Sequence, residues 1–207
     1  YDITAFHMRL KNEILTRCAQ EVDPLCTSTV AFNADRSIHN GIEAGFGAVP
    51  VIDLFQSGDR VELAGVWNYT DFRFDGDARF GDTRLPVIPR HQLSGELTYR
   101  TGGGYFVGVN VLYTGERRTT FDGSGGKAYV VPDYTLLGAK AGWKAPDGSL
   151  SLFIEGRNLT DRSYVADFSA TPSVPVTRAG PFLVPQDSPS VRPGDGLTVL
   201  GGLSLHF

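Results

Sequence analysis

The densest group of side chains that could bind a ligand lies in residues 71–90. Its candidate binding residues are Arg73, Phe74, Arg79, Phe80 and Arg84. Guanidinium groups donate charge-assisted hydrogen bonds to oxygen anions, and phenylalanine rings offer flat apolar surfaces. This composition predicts a loop that binds an anionic, oxygen-rich small ligand. The alternative is a solvated loop whose aromatic rings lie at a membrane surface.

No residues have the spacing of a catalytic or metal site. The four histidines are scattered along the chain, and Ser94 near His91 does not form a nucleophile motif. Neither enzymatic activity nor a cofactor is therefore expected. Glu155 and Arg157 share a polar strand face, where they either pair with each other or meet a neighbouring domain. The formal net charge of −4 gives no basic footprint for nucleic acid.

The two cysteines, Cys18 and Cys26, lie close together in a polar connection. Such spacing fits a short-loop disulfide formed in an oxidising compartment. Two free thiols are the alternative.

The elements that must position these residues are β-strands. A period of two in apolar and polar residues is typical of a strand with one apolar face. The last such segment alternates Val199, Leu203 and Leu205 with polar or small residues, except at Leu200. The sequence predicts eight strands, at residues 1–15, 30–49, 60–74, 90–100, 105–121, 134–144, 149–168 and 197–207.

The apolar faces of these strands carry no charge in their central parts. In the first strand, the apolar face is predicted to hold Phe6, Met8 and Leu10, opposite His7, Arg9 and Lys11. Connections alternate between long and short, which is typical of outer-membrane barrels. No run of apolar residues is long enough for a transmembrane helix. Alternation alone also fits a soluble β-sandwich whose apolar face points inward.

Aromatic placement favours the barrel over the sandwich. Tyr105 and Tyr113 lie on one strand face, roughly 26 Å apart along the strand at about 3.3 Å per residue. With a strand tilt near 40°, this separation matches the two aromatic girdles of a membrane barrel. Trp143, Trp67 and Tyr69 fit the same two belts. The predicted class is therefore all-β, with about eight antiparallel up-and-down transmembrane strands.

Several motifs resemble the C-terminal part of the barrel of TonB-dependent outer-membrane receptors. They are AFHMRLKNEI (residues 5–14), HNGIEAGF (39–46), LPVIPRH (85–91), EGRNLTDRSY (155–164), PGDG (193–196) and the terminal GGLSLHF. The resemblance implies that Gly202, Leu205 and Phe207 belong to the terminal signal that the barrel-assembly machinery reads. Leu200 and Leu197 depart from the family pattern, since a polar residue and an arginine are usual at these places.

The same resemblance implies a 22-stranded barrel of which residues 1–207 form the last eight strands, without the plug domain. It implies the outer membrane of a Gram-negative bacterium, with lipid around the wall. It also implies uptake of a ferric siderophore, energised through TonB, which contacts the absent plug and N-terminal segment. Two alternatives stay open: a self-contained eight-stranded barrel with a structural or adhesive role, and a soluble β-sandwich binding module.

Overall fold

The computed structural model describes residues 1–18, 29–119, 130–168, 178–179, 182–183 and 191–206. Within these ranges every regular element is a β-strand. No helix in them is long and apolar enough to cross a membrane. The strands are β1 (Asp2–Cys18), β2 (Thr29–Ile52), β3 (Arg60–Phe74), β4 (His91–Arg100), β5 (Tyr105–Thr114), β6 (Arg117–Arg118), β7 (Val130–Val131), β8 (Tyr134–Lys144), β9 (Leu150–Arg157), β10 (Val165–Phe168), β11 (Arg178–Ala179), β12 (Phe182–Leu183), β13 (Val191–Pro193) and β14 (Thr198–Leu205).

Among the described residues, eight strands form one antiparallel sheet in the order β1-β2-β3-β4-β5-β8-β9-β14. The other six pair as three short ladders, β6 with β7, β10 with β13, and β11 with β12. Neighbours in the sheet follow one another along the chain, so the predicted up-and-down arrangement of eight strands is confirmed. In the described part of the chain, β1 and β14 are the two edges and do not pair with each other.

Two predicted strand ends are wrong, and local backbone geometry explains the main one. The seventh predicted strand was expected at residues 149–168, but β9 ends at Arg157. There Asn158 adopts a φ of 50° and Asp161 a φ of 49°, which breaks the extended chain. The Asn158 side chain accepts a hydrogen bond from the Arg162 N–H and donates to two carbonyl oxygens. The fifth predicted strand also stops early, because β5 ends at Thr114.

One face of the sheet is apolar and exposed, and we call it the outer face. The register sets its apolar residues side by side: Leu97 pairs with Val109, and in the next outer-face row Val111 pairs with Leu137. Leu97, Val109 and Leu137 are 44%, 54% and 44% exposed. No second sheet covers this face within the described ranges, so the β-sandwich interpretation is wrong. A soluble protein rarely exposes so wide an apolar surface, whereas lipid suits it.

Aromatic side chains border this apolar band at both ends of the strands. At the end nearer the long connections, Trp67, Tyr69 and His91 stack against one another with ring centroids 5.2–6.5 Å apart. At the opposite end, Tyr105 packs on Trp143 with centroids 6.3 Å apart. We call these groups the upper and lower girdles. They match the two girdles expected of a membrane-spanning barrel wall.

The face assignment predicted for β1 is wrong in its upper part. Phe6 pairs with Gly41 and Met8 with His39, so Phe6, Met8 and Leu10 lie on the polar inner face. Their neighbours His7, Arg9 and Lys11 lie on the outer face. This reversal occurs above the upper girdle, where the outer surface meets water. On the inner side Phe6 packs against Phe72 with ring centroids 6.2 Å apart, while Met8 stays 44% exposed.

Candidate ligand-binding loop and inner wall

Residues 75–90, between β3 and β4, fold into a compact loop at the end of the sheet that carries the long connections. We call it the outer loop. Its tip is a tight turn in which the N–H and C=O groups of Asp77 and Gly81 exchange hydrogen bonds of 2.8 and 3.0 Å. Gly76 and Gly81 adopt φ values of 64° and 62°, which glycine takes without steric cost. The loop therefore has a defined shape that local sequence encodes.

The Asp77 carboxylate fastens this turn to β2. Its Oδ1 accepts hydrogen bonds from the N–H groups of Arg79 and Phe80, and its Oδ2 accepts one from Asp35 N–H. Burial tends to raise the pKa of Asp77, but these hydrogen bonds outweigh burial and hold the pKa below its usual value of 3.8. The carboxylate is therefore charged at neutral pH and holds three backbone donors.

A small hydrophobic cluster supports the outer loop, and we call it the loop core. Its buried members are Ala34, Phe74, Phe80 and Leu85. The Phe74 and Phe80 rings stack with centroids 4.9 Å apart. Phe74 is fully buried and Phe80 is 4% exposed. These two predicted site residues therefore hold the shape of the loop, and their contact with a ligand stays a prediction.

The three predicted arginines are not brought together. Arg73 and Arg84 form a β-bridge on the outer face, where Arg84 Nε lies 3.7 Å from the Asp71 carboxylate. Arg79 lies instead at the exposed tip, with its guanidinium carbon 5.6 Å from the Phe80 ring centroid. Ligand binding by this set stays a prediction, and only Arg79 lies at the tip.

The sequence did not reveal a buried group beneath the loop. His39 stacks on Phe72 with centroids 4.2 Å apart, and its Nε2 lies 3.3 Å from a carboxylate oxygen of Glu13. The same oxygen accepts a 2.5 Å hydrogen bond from the Ser37 hydroxyl. These residues are distant in the sequence, and only the register of β1, β2 and β3 brings them together.

Two further contacts join the outer loops to one another. The Val87 N–H donates to the Arg118 carbonyl, linking the loop at 75–90 to β6. Arg117 is buried and donates from its two terminal nitrogens to the carbonyls of Ala166 and Val165, which links β6 to β10. Three connections therefore form one hydrogen-bonded platform above the sheet.

The inner face below this platform carries ion pairs. Lys140 Nζ lies 2.6 Å from Glu96 Oε1, and Arg157 Nε lies 2.7 Å from Glu155 Oε1. Glu155 and Arg157 thus form the ion pair that was one of their two predicted outcomes. This pair also lines a cleft of about 440 Å³, together with Tyr164. Such a wall suits a polar partner inside the barrel.

No group of three or more potential metal ligands exists among the described residues.

At the sheet edge, Gly202 pairs with Phe153 and Leu205 pairs with Leu150. Phe207, Cys26 and the side chain of Cys18 lie outside the described residues. The predicted assembly signal and disulfide therefore stay predictions.

Comparison with known proteins identifies the family. The family model for the "TonB dependent receptor-like, beta-barrel" domain matches residues 1–159, most of the chain. The chain belongs to the TonB-dependent receptor β-barrel family. No curated protein matches it by sequence.

Solved structures show the same receptor-barrel fold. The closed form of the ferric-catecholate import receptor Fiu from E. coli K12 gives a TM-score of 0.64 at 18% identity, covering 99% of this chain and 25% of that one. The ferric yersiniabactin uptake receptor FyuA from Yersinia pestis gives 0.59 at 19%, covering 98% and 27%. The ferripyoverdine receptor of Pseudomonas aeruginosa, bound to ferripyoverdine, gives 0.61 at 16%, covering 97% and 24%. The chain spans about a quarter of each receptor.

Proposed function

We propose that this chain is the C-terminal section of the barrel of an outer-membrane receptor that imports a ferric siderophore with energy delivered through TonB. The observation that carries the proposal is the family match over residues 1–159. The fold likeness to three receptors of ferric chelates supports the substrate class. Because the chain spans about a quarter of those receptors, the other strands, the plug and the TonB contact are assigned to sequence outside it.

In this proposal the chain supplies the wall and outer loops and does not itself move during import. Substrate binds the outer loops and plug, and TonB then pulls on the plug, driven by the proton gradient of the inner membrane. The ion pairs on the inner face, such as Glu96 with Lys140, line the wall beside the plug. Because these charges are already paired, the plug can shift past them without leaving an isolated charge.

The proposed substrate contact of this chain is the outer loop at residues 75–90. Its arginines suit the anionic oxygens of an iron chelate, since guanidinium groups form charge-assisted hydrogen bonds with them. Arg79 occupies the exposed tip, and the Asp77 hydrogen bonds and the loop core hold that tip in place. Arg73 and Arg84 lie on the outer face, so the substrate role is assigned chiefly to Arg79.

Competition uptake assays with a panel of radiolabelled ferric chelates, in cells whose receptor contains this chain, test the proposal. At least one chelate should enter, and uptake should stop when TonB is deleted. Arg79→Ala should weaken binding of that chelate several-fold. Arg192→Ala, which removes another exposed cation, from β13, is the matched control. Uptake that persists without TonB, or no uptake of any chelate by a correctly assembled receptor, would overturn the assignment.

A further inference from the structure

Basic side chains crowd the outer face directly above the upper girdle. We call this group the outer cation patch. Its members come from β1, β2, β3 and the loop before β4, and are Arg9, Lys11, Arg36, Arg73, Arg84 and Arg90. They lie on the same face of the sheet as the apolar band, which begins below them at the upper girdle, and point away from the inner wall. A substrate passing through the barrel would not meet them.

The strand register sets the spacing of the patch. Arg9 and Arg73 both pair with Ile38, one from each side, and Lys11 pairs with Arg36 one row higher. Neighbouring strands lie about 4.8 Å apart, so the backbones of Arg9 and Arg73 are roughly 10 Å apart. Ile38 between them is only 8% exposed although it lies on the outer face. Two long basic side chains on either side of it are close enough to hold one phosphate group.

The cations of the patch exceed the nearby carboxylates. Asp71 is contacted by Arg84 and Arg90, and Asp75 by Arg36. In contrast, Arg9, Lys11 and Arg73 are exposed and have no ion-pair partner among the described residues. A surplus of positive charge in a chain of net charge −4 marks a local site for an anion.

The height of the patch indicates where this anion comes from. Ile38 lies four residues above Ile42, which pairs with Tyr69 of the upper girdle. At about 3.3 Å per residue and a tilt near 40°, this places the patch roughly 10 Å above the edge of the apolar band. The lipid headgroup layer is about 5–8 Å thick on each side of the hydrocarbon core, and flexible basic side chains reach down into it.

We propose that the outer cation patch binds the phosphate-bearing headgroups of lipids in the leaflet on the long-loop side. Arg9, Lys11 and Arg73 hold the phosphate, because they are the members that no carboxylate of the described residues pairs with. The acyl chains of the same lipid then lie along the apolar band below, beside Ala5 and Ile42, which pair with each other. The inference concerns the lipid around the wall and is independent of what the receptor imports.

Native mass spectrometry of the detergent-purified receptor, titrated with phosphatidic acid, tests this site. Wild-type receptor should retain the lipid, and the variant Arg9→Gln/Lys11→Gln/Arg73→Gln should bind it on the order of a hundredfold more weakly, since each basic side chain near an anionic membrane surface contributes roughly fivefold. The matched control, Lys144→Gln/Arg162→Gln/Arg192→Gln, removes the same charge elsewhere and should bind like wild type. Equal loss in both variants would reduce the effect to overall charge and overturn the site.

Two further measurements need no variant. Retention of phosphatidic acid should fall as salt rises, because screening weakens exposed charge pairs. Uncharged diacylglycerol should bind more weakly than phosphatidic acid, and inorganic phosphate at equal concentration should not displace the lipid. Salt-independent retention, equal binding of diacylglycerol, or displacement by free phosphate would each overturn the proposal, the last by showing an anion site that needs no lipid.

Discussion

The Tyr99 hydroxyl donates a 2.5 Å hydrogen bond to Oδ2 of Asp59, joining β4 to the turn between β2 and β3. The same carboxylate accepts hydrogen bonds from three consecutive backbone N–H groups of that turn, at residues 54–56. Asp59 is fully buried. One side chain therefore holds the shape of the whole inner turn.

Replacing Asp59 with Asn should loosen this turn at neutral pH, because an amide offers one acceptor oxygen where the carboxylate offers two. Hydrogen-exchange protection of residues 54–56 in the assembled receptor should fall on the order of tenfold. Tyr99→Phe, which removes one of the four hydrogen bonds, should have a smaller effect. Unchanged protection in Asp59→Asn would contradict the assignment.

The pKa of Asp59 gives the turn a defined pH dependence. Burial tends to raise this pKa, but the hydrogen bonds from Tyr99 and the backbone outweigh burial and hold it below the usual 3.8. A lowered pKa in the folded state stabilises the fold above the unfolded pKa, and this contribution is lost as the pH falls toward the folded value. Protection of the turn in wild type should therefore be constant down to about pH 4 and decrease only below it.

The loop core makes a second prediction about stability. Phe80→Ala should remove about 3–5 kcal/mol of local packing, as expected for a buried phenylalanine. The barrel should still assemble, while protease added to intact cells should cleave residues 75–90 much faster than in wild type. Arg79→Ala, next to it but exposed, is the control and should leave cleavage nearly unchanged. Equal resistance of both variants would mean that the loop core does not support the loop.

The strand pattern was predictable from sequence because period-two alternation and turn residues are local signals. The height of each residue relative to the apolar band was not predictable in the same way. Phe6 and Met8 lie on the inner face above the apolar band, at a level where water surrounds the outer face and the outward neighbours are His7 and Arg9. Only the pairing of Phe6 with Gly41 shows how high Phe6 lies relative to the upper girdle. Alternation of apolar and polar residues in one strand does not show where the apolar band ends. The register with the neighbouring strands is needed for that.

The candidate site was predicted in composition but not in geometry. Arg73 alternates with Phe72 and Phe74 in β3, so continued period two would have placed it on the opposite face from both rings. That signal was present in the sequence. The stacking of His39 on Phe72 was not, because it depends on the pairing of two strands.

A third prediction concerns orientation: the long connections should face the cell exterior. With the native cysteines replaced, Ala78→Cys at the loop tip should react with an impermeant thiol reagent on intact cells, as should Ser124→Cys. Gly103→Cys, in the short turn between β4 and β5, should react only after the outer membrane is permeabilised. The reverse labelling pattern would overturn the orientation.

A fourth prediction concerns Cys18 and Cys26. The backbone of Cys18 pairs with that of Thr29 at the top of the β1–β2 hairpin, and Cys26 lies between these two residues in the sequence. A disulfide between them should stabilise the folded chain by about 2–3 kcal/mol through loop closure. Mass spectrometry of exported protein without reductant should find a mass lower than that of the dithiol by two hydrogen atoms. Two free thiols would contradict this pairing.

The last prediction is that these 207 residues do not close into a barrel by themselves. Among the described residues, the two sheet edges, β1 and β14, have no partner strand, so in lipid they would leave backbone groups unpaired, which costs several kcal/mol for each unsatisfied group. An eight-stranded barrel has an interior only just wide enough for side chains. Closing this sheet would crowd the charges of Glu43, Glu62, Glu96, Lys140 and Glu155 into that space, whereas a wide lumen keeps them apart.

The chain expressed alone should therefore aggregate or fail to insert, while the receptor that contains it assembles. Refolding in detergent followed by electrophoresis with and without boiling measures this directly. The isolated chain should give a smear whose mobility does not change on boiling, and protease should digest its strands. A sharp, heat-modifiable monomer band with protease-resistant strands would instead show a closed small barrel, because only a sheet without free edges keeps its backbone hydrogen bonds in detergent.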